Sequence, residues 1–263
     1  MYIYLSGPPS KLYEESSEVK VTVRPGMALE DMSKEALSDP EKFWAEQARG
    51  LDWHRQWDRV LDWNPPFARW FSGGLLNASV NCLDRHVTTE TKNKAAIIWE
   101  SESGESRTLT YFQLYRYVNR FANVLKGLGV QKGDRVTIYM PMVPELPVAM
   151  LACARIGATH SVVFSGFSSQ ALVDRVNDAQ SKVIVTADGG FRKGKLVDLK
   201  RVVDESLAQT PSVQHVVVFR RAGNDVRMGP KDVWWHEAIE KAPMFCPPEM
   251  VESTHPLYIL YTS

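Results

Sequence analysis

From residue 95 onward, short runs of apolar and β-branched residues alternate with longer helical stretches. The runs lie at 95–100 (AAIIWE), 135–140 (RVTIYM), 159–164 (THSVVF), 182–187 (KVIVTA), 214–219 (QHVVVF) and 257–262 (LYILYT). Their apolar character is nearly continuous instead of alternating, which is the pattern of strands buried on both faces. Helices are predicted between them at 111–128, 143–156, 169–179, 196–207 and 232–241. Thr110 and Gln113 have the spacing of a capping box at the start of the first, and Gly129 and Gly157 stand where the first two helices should end. Strand and helix in alternation specify an α/β fold, a mostly parallel sheet with helices on both faces. In such sheets ligands bind beyond the carboxyl ends of the strands, so the loops after Phe164, Ala187 and Thr262 are the places to look for chemistry.

The first hundred residues read differently. Trp44, Trp53, Trp57, Trp63 and Trp70 crowd a stretch that also carries Pro65, Pro66 and the Gly73-Gly74 pair, and no strand alternation is evident in it. A short docking helix is predicted at 41–49, with Asp39 or Ser38 capping its start and Pro40 in its first turn. Trp53 and Trp57 are four apart and could share a helical face. The tryptophans read as anchors that bury aromatic area against a neighbouring domain. The chain therefore divides into a tail (1–30), a Trp-rich N-terminal extension (31–90) and a sheet-forming part (91–263).

Composition narrows the function. The 263 residues carry 31 Lys+Arg against 31 Asp+Glu, a formal charge of zero, so there is no long-range positive field to hold a polyphosphate backbone and nucleic acid is not expected as a partner. At 44% hydrophobic and 24% charged residues the chain suits a globular protein and excludes a disordered or collagen-like one. Cys82, Cys153 and Cys246 are far apart with no C-x-x-C pair, which supplies neither a disulfide framework nor a zinc ligand set. With no basic-then-apolar leader and no long apolar stretch, the expectation is a cytoplasmic protein without a membrane span.

Three segments carry candidate chemistry. Gly189 to Lys195 fits G-x-x-x-x-G-K, but a phosphate-binding P-loop needs Ser or Thr next, to ligate Mg²⁺, and Leu196 stands there. What survives is a cluster of Arg192, Lys193 and Lys195 expected beside a helix N-terminus, either an anion site or a solvated basic surface. Phe164-Ser165-Gly166-Phe167-Ser168 ends another strand. Its glycine permits close backbone approach and its aromatics could flank a planar ring, while Ser168 as an N-cap and the two Phe as core residues explain it equally well. His160 inside a strand reads as a satisfied core histidine, and His86 after Asp84-Arg85 as a partner in an ion pair or cap. No Ser/His/Asp or Cys/His set can be assembled, so no catalytic residue and no metal ligand is assigned within the chain.

Five longer strings occur in order: WFSGGLLN (70–77), NCLDRH (81–86), IYMPMVPE (138–145), ACARIGATHSVVF (152–164) and DVWWH (232–236). Together they resemble the AMP-forming acetyl-coenzyme A synthetases of the adenylate-forming acyl-CoA synthetase superfamily, over roughly residues 37 to 263. The resemblance implies a ligase that converts acetate, ATP and CoA to acetyl-CoA, AMP and diphosphate through acetyl-AMP, with Mg²⁺ accompanying ATP. It implies that Arg192, Lys193, Gly194 and Lys195 hold the 3′-phosphate of CoA, with Phe164 and Gly166 near its adenine. Lys195 stands where the family frequently has Arg, which keeps the charge but loses the bidentate fork. Thr262 and Ser263 correspond to the start of the loop that wraps the ATP phosphates. By this resemblance the chain is the N-terminal portion of a synthetase, working with a C-terminal part and inactive alone. Two alternatives remain: a portion of a propionate or other short-chain acyl-CoA synthetase, or a nonenzymatic α/β module that binds CoA or a partner chain.

Overall fold

The computed structural model describes residues 29–261, which divide into two compact units, 29–50 and 51–261. In the first, helix α1 (Leu29–Ser38), which the sequence pattern did not reveal, precedes α2 (Pro40–Ala48). The Asp39 carboxylate accepts from the Lys42 amide at 3.0 Å and Pro40 occupies the first turn, the predicted cap. Phe43 and Trp44 meet edge to face, centroids 5.1 Å apart.

The second unit begins with short elements. Strands β1 (Arg59–Asn64) and β2 (Phe67–Ser72) form an antiparallel hairpin about Pro65-Pro66, so the Trp-rich stretch does contain strands. They escape a periodicity search because both faces of the hairpin mix polar and aromatic residues. Trp53 and Trp57 do meet, at 5.0 Å, but outside any helix, packing around Phe71. Then follow β3 (Leu75–Leu76), a π-helical turn (Val80–Asp84), α3 (Arg85–Val87) and a 3₁₀ turn (Glu90–Asn93).

Strand β4 (Ala95–Glu100) exists as predicted but does not enter the parallel sheet. It pairs antiparallel with β5 (Ser106–Thr110), whose SRTLT sequence is too polar to be seen as an apolar run. From there the elements are α4 (Tyr111–Gly127), β6 (Arg135–Tyr139), α5 (Glu145–Arg155), β7 (Thr159–Val162), α6 (Ser169–Ala179), β8 (Val183–Ala187), β9 (Gly190–Arg192), β10 (Lys195–Val197) and α7 (Leu199–Leu207). The described chain ends with β11 (His215–Phe219), β12 (Asp232–Trp234), α8 (Trp235–Lys241), β13 (Val251–Glu252) and β14 (Tyr258–Ile259). The capping box is formed: Thr110 Oγ1 accepts from the Gln113 amide at 3.2 Å and Gln113 Oε1 from the Thr110 amide at 2.9 Å. Two predicted helices start three residues late. Residues 196–197 belong to a hairpin and Asp198 caps α7, and 232–234 are a strand.

Six strands form one sheet in the order β12-β11-β8-β6-β7-β14, every neighbouring pair parallel. Alternate residues serve opposite cores. Val183 and Val185 join Val217 under α4, α5 and α8, whereas Ile184 joins Val216 and Val218 under α6 and α7. In the first core Phe121 and Trp235 stack with centroids 3.7 Å apart. Burying a side chain of the size of Phe121 contributes roughly 1.5–3 kcal/mol. The order has a functional consequence. After β6 the chain lays β7 on one side of it and β8 on the other, so the loops leaving β7 and β8 flank the carboxyl end of β6, the topological position where open α/β sheets take ligands.

Candidate functional site

Tyr139, the last residue of β6, organises that crevice. Its ring is buried while its hydroxyl donates to the carbonyls of Ser165 (3.1 Å) and Phe167 (2.8 Å), which fixes the loop after β7. Burial pushes the Tyr139 phenol up to about 12, so it remains a donor throughout the physiological range. Phe164 is 49% exposed and Phe167 packs edge to face against it at 5.6 Å. Neither is a core residue. Ser168 does cap α6, accepting from the Ala171 amide at 3.4 Å.

The loop after β8 is not a P-loop and its cations do not lie at a helix N-terminus. Residues 190–197 form a β9–β10 hairpin with Arg192 opposite Lys195. Lys193 and Gly194 both have positive φ, 51° and 71°, the geometry of a two-residue I′ turn. The G-x-x-x-x-G-K spacing matched because glycines are needed for another reason. A Cβ on Gly190 would stand 2.9 Å from Pro141, and one on Gly189 2.7 Å from Asn224 Oδ1, so the root of the hairpin packs too closely for side chains. At that root Asp188, buried, accepts from the amides of Gly189 (2.7 Å), Arg221 (2.7 Å), Ala222 (2.9 Å) and Gly223 (2.7 Å). Strand-end position was the one sequence signal that could have found Asp188. Tyr139, at the end of β6, carried the same signal, and Arg221 none.

The two loops meet. The Arg192 guanidinium lies over the Phe164 ring, 4.9 Å from its centroid. Gly166 leaves the space for it: a Cβ there would clash with Arg192 Nη1 and stand 2.6 Å from Phe164 Cε1. Arg192, Phe164 and Gly166 are thus brought together, with Lys193, Gly194 and Lys195 exposed at the adjoining hairpin tip. A second neighbour comes from the β4–β5 turn, where Glu102 accepts from the Gly194 amide at 3.1 Å and Glu105 pairs with Arg221 at 2.7 Å. Arg221 in turn lies 5.2 Å from the Trp99 ring and 5.8 Å from that of Phe191. Thr262 and Ser263 lie outside the described residues. The arrangement offers one stacked guanidinium, two further ammonium groups and a planar aromatic face, a set suited to holding a phosphate beside a flat ring.

Other residues singled out in the sequence have different places. His86 makes no cap or ion pair through its side chain that the structure records; its ring packs 4.9 Å from that of Tyr111. The neighbouring Asp84 instead holds Arg155 in a bidentate pair at 2.8 and 3.1 Å, and Arg155 is fully buried. His160 is a core histidine but its Nδ1 is buried with no hydrogen-bond partner. Burial pushes its imidazole down to about 4. Burial raises all three thiols, so none is poised as a thiolate nucleophile. Among the described residues no group of three or more His, Cys, Asp or Glu is arranged to hold a metal, and no helix is long and apolar enough to cross a membrane.

Comparison with known proteins identifies the family. Residues 29–82 match the family model described as the acetyl-coenzyme A synthetase N-terminus, and residues 83–263 match that of AMP-binding enzymes. The chain is 59% identical over 232 residues to acetyl-coenzyme A synthetase of Rubrobacter xylanophilus, covering 88% of this chain and 36% of that protein. It is 46% identical over 257 residues to acetyl-coenzyme A synthetase of Chlorobaculum tepidum, covering 97% and 38% respectively. Among solved structures, acetoacetyl-CoA synthetase from Streptomyces lividans superposes with a TM-score of 0.80 at 28% identity, over 87% of this chain and 35% of that one. The chain thus spans little more than a third of the length of these relatives. With its larger part, residues 83–263, matched by one family model and its parallel sheet shared with a synthetase, the chain belongs to the AMP-binding enzyme family.

Proposed function

We propose that this chain is the N-terminal portion of an AMP-forming acetate–CoA ligase and carries the contacts for the nucleotide tail of CoA. The reaction is acetate plus ATP to acetyl-AMP and diphosphate, followed by displacement of AMP by the CoA thiol. A carboxylate is a poor acyl donor, and its mixed anhydride with AMP supplies the leaving group. The relatives are named for acetyl and acetoacetyl groups, so CoA is what they share. Acetate is the acyl group proposed here because both bacterial relatives above carry that name. Thr262 and Ser263 are assigned to the ATP phosphate loop by resemblance, and Mg²⁺ enters with ATP, where it neutralises charge on the phosphates.

The observation that carries the reading is the stacking of Arg192 on Phe164 over the gap at Gly166. Arg192 and Lys195 engage the 3′-phosphate, while the Phe164 ring offers its face to the adenine. A charge-assisted contact contributes about 1.5–3 kcal/mol, so Arg192→Ala is expected to weaken CoA binding about ten- to hundredfold. Dephospho-CoA, which lacks the 3′-phosphate, should bind the native chain and the variant alike. Equal affinity of the native chain and the variant for CoA in a calorimetric titration defeats the assignment.

A further inference from the structure

The tip of the β9–β10 hairpin already holds an anion, and that anion is part of the chain. Lys193 and Gly194, both with positive φ, form the turn between the paired residues Arg192 and Lys195, all four exposed. The Glu102 carboxylate, from a turn 92 residues away in sequence, accepts from that amide at 3.1 Å. Glu102 is exposed, so it buries nothing and is not needed to satisfy a buried donor. Its turn is held independently of the hairpin tip. Ser101 and Gly104 close it through backbone bonds of 2.8 and 3.0 Å, and Glu105 anchors it to Arg221.

We propose that Glu102 is an internal competitor for phosphate at the hairpin tip: a phosphate dianion binding there must displace the Glu102 carboxylate from the Gly194 amide, so Glu102 weakens phosphate binding and rejects weaker anions. Resting on the reading that this tip takes a ligand phosphate, the proposal adds what sets its threshold. A neutral amide at position 102 still accepts the Gly194 hydrogen bond but no longer repels the ligand. Surface charge interactions of this kind run up to about 1 kcal/mol, which is up to about fivefold in affinity, and they are screened by salt.

The test follows the Gly194 amide resonance of the ¹⁵N-labelled full chain, titrated with inorganic phosphate at low ionic strength. Glu102→Gln should lower the half-saturating concentration by up to about fivefold, with the difference shrinking on addition of salt. Glu100→Gln, which removes an equal charge from an exposed position two residues away, should leave it unchanged. A Gly194 amide that ignores phosphate, a Glu102→Gln variant with equal or weaker binding, or the same gain in Glu100→Gln overturns the proposal. A second arm separates it from the CoA reading. If CoA moves the Gly194 resonance and dephospho-CoA does not, the phosphate is the CoA 3′-phosphate. If neither moves it while inorganic phosphate does, the competitor role stands and the CoA assignment fails.

Discussion

Removing the Asp84 carboxylate should destabilise the second unit by about 3 kcal/mol, at the lower end of the roughly 3–5 kcal/mol observed when one partner of a buried ion pair is lost. The Arg155 side chain is 0% exposed, and its partners are the two Asp84 oxygens, the Cys246 carbonyl at 2.6 Å, and the faces of Tyr115 and Phe245. In Asp84→Ala the guanidinium keeps one strong acceptor and two rings but no counter-charge. Asp84 itself is 24% exposed, so water can enter where the carboxylate was, which places the loss at the lower end of the range. For a domain of this size that corresponds to a melting temperature lower by about 6–12 °C. Urea unfolding followed by far-ultraviolet circular dichroism should show a lower midpoint with an unchanged slope. The double variant Asp84→Leu/Arg155→Met removes both charges and should recover most of the loss. A loss below about 1 kcal/mol for Asp84→Ala, or a double variant as unstable as the sum of the two single ones, would refute the reasoning.

Gly166→Ala should weaken CoA binding about tenfold or more by evicting the Arg192 guanidinium from the Phe164 face, with little change in melting temperature because the loop is exposed; an unaltered dissociation constant contradicts it. His160 gives a pH dependence. Its folded-state value of about 4 lies below the ordinary 6.5, so the unfolded chain takes up a proton that the folded one excludes, and stability falls as pH drops from about 6.5 to 4. The full loss is about 3 kcal/mol, and urea midpoints of His160→Phe measured at pH 7 and pH 4.5 should converge relative to those of the native chain. Parallel pH profiles for the two proteins count against it.

The sheet was legible because its strands bury both faces and therefore have a local signature: VIVTA and HVVVF need no partner to be recognised. So was the capping box, whose two halves are three residues apart. Elements that share their burial with polar positions were not. β5 and the β1–β2 hairpin have mixed faces, and β12 is three residues long. At the site, Arg192, Lys195, Phe164 and Gly166 were visible as charge, aromatic and glycine beside strand ends. The structure changes how they are mounted, on a hairpin turn and not a helix N-terminus, because seven residues of G-x-x-x-x-G-K spacing do not distinguish the two. Glu102 against Gly194 and Asp84 against Arg155 are separated by 92 and 71 positions. Nothing in the neighbourhood of either residue announces a partner that far along the chain.

The buried carboxylate of Asp188 has a bearing on how this part of the chain can diverge. It grips the 221–223 segment by amide protons alone, and every amino acid except proline carries one. Shape and sequence are therefore uncoupled at 222, whereas Arg221 is kept by its pairing with Glu105 and Gly223 by its positive φ. The side chain at 222 can drift without moving the backbone that frames the hairpin root, whereas a single change at 188 releases the whole segment. In a lineage of related chains, new side chains could be tried at 222 at little cost to folding, all of them inheriting their position from one buried carboxylate.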